Sequence, residues 1–330
     1  MYIKFKKPAA ITCWASVGGK MEAEGPLGAK FDQTSMDDYF GKDTWEQAET
    51  ELQSRCIKQL LHKKGIKPND VELFLGGDLT NQITSTSYTM RRFGMPYIGL
   101  YNACSTMTEA MLLGACMVDG GYANNTLALA SSHFCTAERQ FRTPLDYGGK
   151  RTPTAQWTVT GCGSVLLESA GKDAFVAAAQ VGRVVDLGVC DANNMGAAMA
   201  PAAANTIREF LRHSGTKTED YDAIYTGDLG TVGSRLLVQL LAKEYISIKN
   251  HIDCGCVIYG KNQNVQSGAS GCGCGASVLT ADILPKMQQR QLNNILFIAT
   301  GALMSPATTM QGESIPCIAH LVNIRTKENL

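Results

Sequence analysis

The sequence predicts an α/β fold made of two internally similar halves, and three recurrences within the chain carry that reading. The phrase Gly77-Asp78-Leu79 returns as Gly227-Asp228-Leu229, an offset of 150 (228 − 78). A cysteine turn that opens a helix occurs at Cys104 and again at Cys272, an offset of 168 (272 − 104). That second offset also lays the apolar strand 127–133 on 295–301. Elements repeated once in the same order mark a duplicated domain, because solenoid units recur every 20 to 50 residues or so. The division falls at halves 1–170 and 171–330.

The elements follow in order. Residues 44–64 place Trp45, Ala48, Leu52, Cys56, Leu60 and Leu61 at helical spacing, and Gly65 closes the helix. The run Val71, Leu73, Phe74, Leu75 that ends at Gly76-Gly77-Asp78 reads as a buried strand. A second strand, Tyr97 to Tyr101, turns through Asn102-Ala103-Cys104-Ser105 into the helix Thr106 to Val118. In the second half the turn Ser270-Gly271-Cys272-Gly273 opens a helix from Ala276 to Met287. Alternation of strands and helices predicts parallel sheets covered by helices on both faces. Residues 135–160 break the pattern with Pro, Gly and charge, and read as a long loop over the site or at a subunit interface.

Composition excludes several classes of function. Lys plus Arg number 30 and Asp plus Glu number 30, so no field steers the chain to nucleic acid or an anionic membrane. No apolar stretch approaches the roughly 18 residues of a membrane span. The opening MYIKFKKPAAITCW lacks a signal-peptide core, so the twelve cysteines read as reduced thiols of a cytoplasmic protein. Cys254-Gly-Cys256 and Cys272-Gly-Cys274 do not have the spacing of a zinc knuckle, and no metal site is expected. The Gly-rich segments lack the context of a dinucleotide fingerprint, so no nicotinamide cofactor is expected either.

Chemistry concentrates at the first cysteine turn. Cys104 stands where a strand passes into a helix, and the helix dipole there favours a thiolate and an anionic ligand. The competing reading is a buried inert thiol. His133 ends the strand 127–133 beside the same sheet edge, as a hydrogen-bond donor to a ligand carboxylate or a base for Cys104. Asp78 ends a strand on that edge with Asn81 just beyond it. Asp78 would meet a calcium-bridged ligand or accept a proton, or else cap the next helix. Asp228 is its counterpart in the repeat, and Arg139 and Arg142 are the nearest cations in the loop after His133.

With these residues in place, the Asn-Ala-Cys-Ser turn, the Gly-rich second turn ending Gly275-Ala276-Ser277 and the duplicated order resemble the thiolase and ketoacyl synthase superfamily. More closely, the chain resembles the stage V sporulation AD family of spore-forming bacteria. GPLGAKFD (25–32), GDLTNQ (77–82), ACST (103–106), SSHFCTAERQFRTP (131–144), MAPAAANTI (199–207), TGDLG (226–230) and ATGALMSP (299–306) carry that resemblance. It implies a thiolase fold with a layered αβαβα architecture, and a homodimer. It also implies a dipicolinic acid binding component for uptake into the developing spore, located in the forespore cytoplasm beside membrane-embedded stage V sporulation A subunits. No cofactor is implied beyond calcium carried within a dipicolinate chelate.

One departure from the superfamily decides between binding and catalysis. Condensing enzymes use a nucleophilic Cys with His and a second His or Asn. Here those positions hold Cys272 and the strand end Thr226-Gly227-Asp228. The expectation is a non-condensing pocket lined by Cys104, His133 and Asp78, with Asn81, Asp228 and Arg142 around it. The rival is an acyltransferase carrying the acyl group on Cys104, and a third reading is a structural adaptor for a membrane channel.

Overall fold

The computed structural model of the chain describes residues 1–141 and 151–330. Ten main strands occur in chain order. The first five are β1 (Tyr2–Gly18), β2 (Phe74–Gly77), β3 (Tyr97–Gly99), β4 (Asn125–Ser132) and β5 (Gly161–Glu168). The others are β6 (Ala174–Gln180), β7 (Ala223–Thr226), β8 (His251–Asp253), β9 (Asn294–Ala302) and β10 (Cys317–Thr326). The helices that matter to the site are α1 (Trp45–Lys64), α2 (Thr84–Phe93), α3 (Thr106–Asp119) and α4 (Phe134–Phe141). They are joined by α5 (Met195–Ser214), α6 (Gly230–Ala242) and α7 (Cys272–Val278).

The strands lie in the order β8-β7-β9-β10-β6-β1-β5-β4-β2-β3, in which β7 and β2, and β9 and β4, hold matching places counted from opposite ends. The long strand β1 joins the halves, pairing antiparallel with β5 on one side and β6 on the other. The sheet is mixed and not parallel throughout. Of these ten strands, β2, β3 and β4 in the first half run parallel to one another, as do β7, β8 and β9 in the second. The central strands β1, β5, β6 and β10 pair antiparallel with their neighbours.

Five layers result. Helices α1 and α2 cover one outer face, α5 and α6 the other, and α3 and α7 lie between the two halves of the sheet. The middle helices are largely apolar, as that position demands. Met107, Ala110, Met111 and Ala115 of α3 are buried, and so is every residue of α7. Close approach of α7 to β5 requires glycine. A Cβ on Gly163 would stand 2.3 Å from the Ala276 carbonyl oxygen, and one on Gly273 would stand 2.3 Å from that of Gly161.

Local rules explain the boundaries. Thr44 caps α1, accepting from the Gln47 amide at 3.3 Å, and Gly65 ends it in the left-handed conformation at φ 72°. The helix expected from Ala276 begins earlier, at Cys272, and passes through a π-turn at Leu279–Ile283. The segment expected as loop from residue 135 opens instead as α4, whose Thr136, Ala137 and Glu138 are buried. No described helix is long and apolar enough to cross a membrane.

Gly163→Ala forces a backbone carbonyl aside, and is expected to lower stability by about 1–3 kcal/mol. The measurement is the denaturant midpoint at unchanged slope; a midpoint equal to that of the wild type would show that α7 is not pinned there.

Candidate functional site

The turn before α3 is tied by its own groups. The Asn102 carbonyl accepts from the Ser105 amide at 3.0 Å and the Ser105 hydroxyl at 2.8 Å, while the Thr106 hydroxyl donates to the Ala103 carbonyl at 2.7 Å. Ala103 is held at φ 48°, a left-handed conformation that a residue with a Cβ rarely keeps without support. Strand β9 supplies that support. Gly301 passes so close that a Cβ there would stand 2.1 Å from the Asn102 oxygen.

This geometry sets Cys104 on the wall of a cavity of about 260 Å³. Ala103 and Leu79 lie beside it, α4 contributes Ala137, Glu138 and Phe141, and the segment 151–158 contributes Arg151, Gln156 and Thr158. Asn193, Met195, Ser270, Ala302 and Met304 from the second half complete much of the enclosure. Small-molecule sites commonly run from about 300 Å³ upward, so this one suits a compact ligand.

Asp228 stands behind the thiol. Its carboxyl accepts from the Gly271 amide at 3.0 Å, the Ser270 hydroxyl at 3.3 Å and the Thr300 hydroxyl at 3.0 Å. Burial pushes it up to about 7, even though the Cys104 thiol donates to it; the charge of Asp253 adds to the rise. Cys104 itself is raised well above an ordinary thiol, first by burial and then by Asp228. Desolvation and the adjacent carboxyl thus act against the thiolate that the helix N-terminus favours. Cys272 is close enough to affect Cys104, yet its thiol is spent on the Ser131 carbonyl at 2.7 Å.

The structure does not bring the other expected residues to the same surface. His133 is buried with both ring nitrogens engaged: Nε2 lies 2.8 Å from the Asp38 carbonyl and Nδ1 accepts from the Cys135 amide at 3.2 Å. Those partners assign a neutral ring protonated on Nε2, and burial lowers its pKa. It is not among the residues lining the cavity. Asp78 is wholly buried, and both carboxyl oxygens are engaged. They take the Thr80 amide at 2.8 Å and hydroxyl, and the Thr86 amide at 2.7 Å and hydroxyl at 2.5 Å. It shapes the turn into α2, and its neighbour Leu79 reaches the cavity. Asn81 lines a neighbouring, more open depression of about 360 Å³ with Gln82, Ile83, Tyr101 and Gln140. Arg139 pairs at the surface with Glu46, and Arg142 lies outside the described residues.

Two features of the site were not expected from the sequence. Glu49 and Gln53 lie in a buried polar network behind Asp78. Glu49 accepts from Ser131 at 2.9 Å and Thr136 at 2.7 Å, and Gln53 donates to Thr86 at 3.0 Å and Ser131 at 2.8 Å. Burial, then the charge of Asp78, push Glu49 up to about 8. Their signal was present: Glu49 and Gln53 share the apolar face of α1 with Leu52 and Cys56. The second feature is Arg151, a cation on the cavity wall, 3.0 Å from Glu138 and with its side chain 13% exposed. It falls in the segment read as a loop over the site. Among the described residues, no three His, Cys, Asp or Glu side chains converge to hold a metal ion.

Comparison with known proteins agrees with this architecture. In solved structures the whole fold recurs at low identity. A 3-oxoacyl-[acyl-carrier-protein] synthase III from Aquifex aeolicus superposes with a TM-score of 0.58 at 15% identity, covering 96% of this chain and 99% of that one. A single-residue variant of OleA from Xanthomonas campestris gives 0.62 at 12% identity, covering 98% and 100%. An Acat5 thiolase from Ascaris suum, in complex with coenzyme A, gives 0.58 at 11% identity, covering 97% and 100%. Stage V sporulation protein AD of Bacillus subtilis (strain 168) is 40% identical over 317 residues, 96% of this chain and 94% of that protein. The profile of the family described as Stage V sporulation protein AD matches residues 1–325, and the chain belongs to that family.

Proposed function

We propose that the cavity beside Cys104 binds pyridine-2,6-dicarboxylate, dipicolinic acid, free or as its calcium chelate, and that the chain serves its uptake into the developing spore. The observation that carries this reading is the composition of the wall. A thiol whose pKa burial and Asp228 raise shares the wall with the Arg151 guanidinium, with no imidazole among the described lining residues. Acyl transfer from a thioester requires a thiolate or a base to make one. Asp228 can hold the thiol as a hydrogen-bond partner, but in its ionised form it repels both a thiolate and an oxyanion. A small aromatic diacid asks for less: a compact cavity, neutral donors and one cation. Membership of a sporulation family supports this choice of diacid.

Partner binding has its own support in the edge strand β3. Among the described residues it pairs only with β2, and it exposes Ile98 at 49% and nearby Tyr101 at 41%, with no Lys on it to repel another strand. The chain accordingly forms a homodimer through that edge in the forespore, beside membrane-embedded stage V sporulation A subunits. Light scattering on the purified chain is expected to give twice the monomer mass, and Ile98→Lys to shift it to the monomer. Monomer mass for the wild type would remove the dimer, and recovery from spore lysates without those subunits would remove the partners.

Calorimetry on the intact chain with dipicolinate, with and without Ca²⁺, tests the central reading. Run beside it, incubation with short acyl-CoA thioesters followed by intact mass reports acyl transfer. Heat of binding and an unchanged mass are expected. A mass adduct that disappears in Cys104→Ala, with no heat from dipicolinate, would establish the acyltransferase instead.

A further inference from the structure

We propose that Arg151 is the residue that takes a ligand carboxylate in the cavity, and that the incoming carboxylate replaces Glu138 on its guanidinium. This assignment rests on the dicarboxylate reading given above. Desolvation sets the requirement. Leu79, Ala103, Ala137, Phe141 and Met304 make much of the wall apolar, and an anion brought there loses water that only a fixed positive group can replace. Among the described lining residues Arg151 is the cation.

Its guanidinium is already oriented. Nη1 donates to the Gln156 carbonyl at 2.7 Å, and the group lies over the Trp157 ring at 4.6 Å and the Phe134 ring at 5.3 Å. Those two rings stack on each other at 4.2 Å. A planar fork held between a carbonyl and an aromatic face loses little freedom when it binds an anion. The Nη2 edge meets Glu138 at 3.0 Å, and Glu138 also accepts from the Thr158 hydroxyl at 3.2 Å. The ligand carboxylate takes the place of Glu138 at Nη2, and Thr158 keeps a bond to Glu138. Glu138 is thus both the group that positions the guanidinium and the competitor that the ligand must displace.

The two partners should respond to substitution with opposite signs. Calorimetry with dipicolinate on the full chain is expected to show at least roughly tenfold weaker binding for Arg151→Gln, the loss of a charged hydrogen bond. A partial loss is expected for Arg151→Lys, which keeps the charge but not the fork. Glu138→Gln is expected to bind several-fold more tightly, and this variant decides the matter should Arg151→Gln fail to fold by circular dichroism. Wild-type affinity in folded Arg151→Gln, or weakened binding in Glu138→Gln, would overturn the assignment while leaving the dicarboxylate reading intact. A wild-type chain that gives no heat would overturn that reading and this one together.

Discussion

Burying a carboxyl group at the end of a parallel strand, against a turn rich in backbone N–H groups, is the constraint around which the site is built. The Gly-Asp-Leu phrase does this in both halves, but the two copies spend their carboxyls differently. Asp78 turns back on its own chain and satisfies Thr80 and Thr86 at the start of α2. In the second half that duty passes to Asp253, which accepts from the amides of Leu229 and Gly230 at the start of α6. Asp228 is thereby released to cross over to Ser270, Gly271, Thr300 and Cys104. One duplicated phrase yields a structural cap in one half and the back of a pocket in the other.

The electrostatic consequence follows from desolvation. A helix N-terminus lowers the pKa of a thiol only while the thiol is not also buried beside a carboxyl. Cys104 is 8% exposed and has Asp228 against it, so the neutral form wins. Within the fold shared with synthases and thiolases, Cys104 stands at an elbow where Ala103 is held at φ 48°, and Asp228 accepts from its thiol. What the geometry retains is a positioned donor on the wall of a compact cavity.

Much of the fold was legible because it depends on periodicity and repetition. The offsets of 150 and 168 correspond to real equivalences, β2 with β7 and β4 with β9, and Gly65 stops α1 where the pattern stops. The direction of the central strands was not legible, since apolar runs look alike whether their neighbours are parallel or antiparallel. At the site, strand ends were found but side-chain directions were not. His133 sits at the end of β4 as expected, yet its ring turns to the Asp38 carbonyl, 95 residues away in sequence. Arg151 escaped notice because its role depends on Trp157, Phe134 and Glu138, which only the folded chain gathers around it.

The protonation state of Cys104 decides between a binding wall and a nucleophile. The most direct test is the ultraviolet thiolate absorbance of the wild type minus that of Cys104→Ser, followed as pH rises. A buried thiol beside Asp228 predicts no Cys104 thiolate at neutral pH. It should appear only above the ordinary thiol range of about 8.5 to 9, and at lower pH in Asp228→Asn. Titration of Cys104 near or below neutrality in the wild type would contradict the neutral thiol and return the site to nucleophilic chemistry.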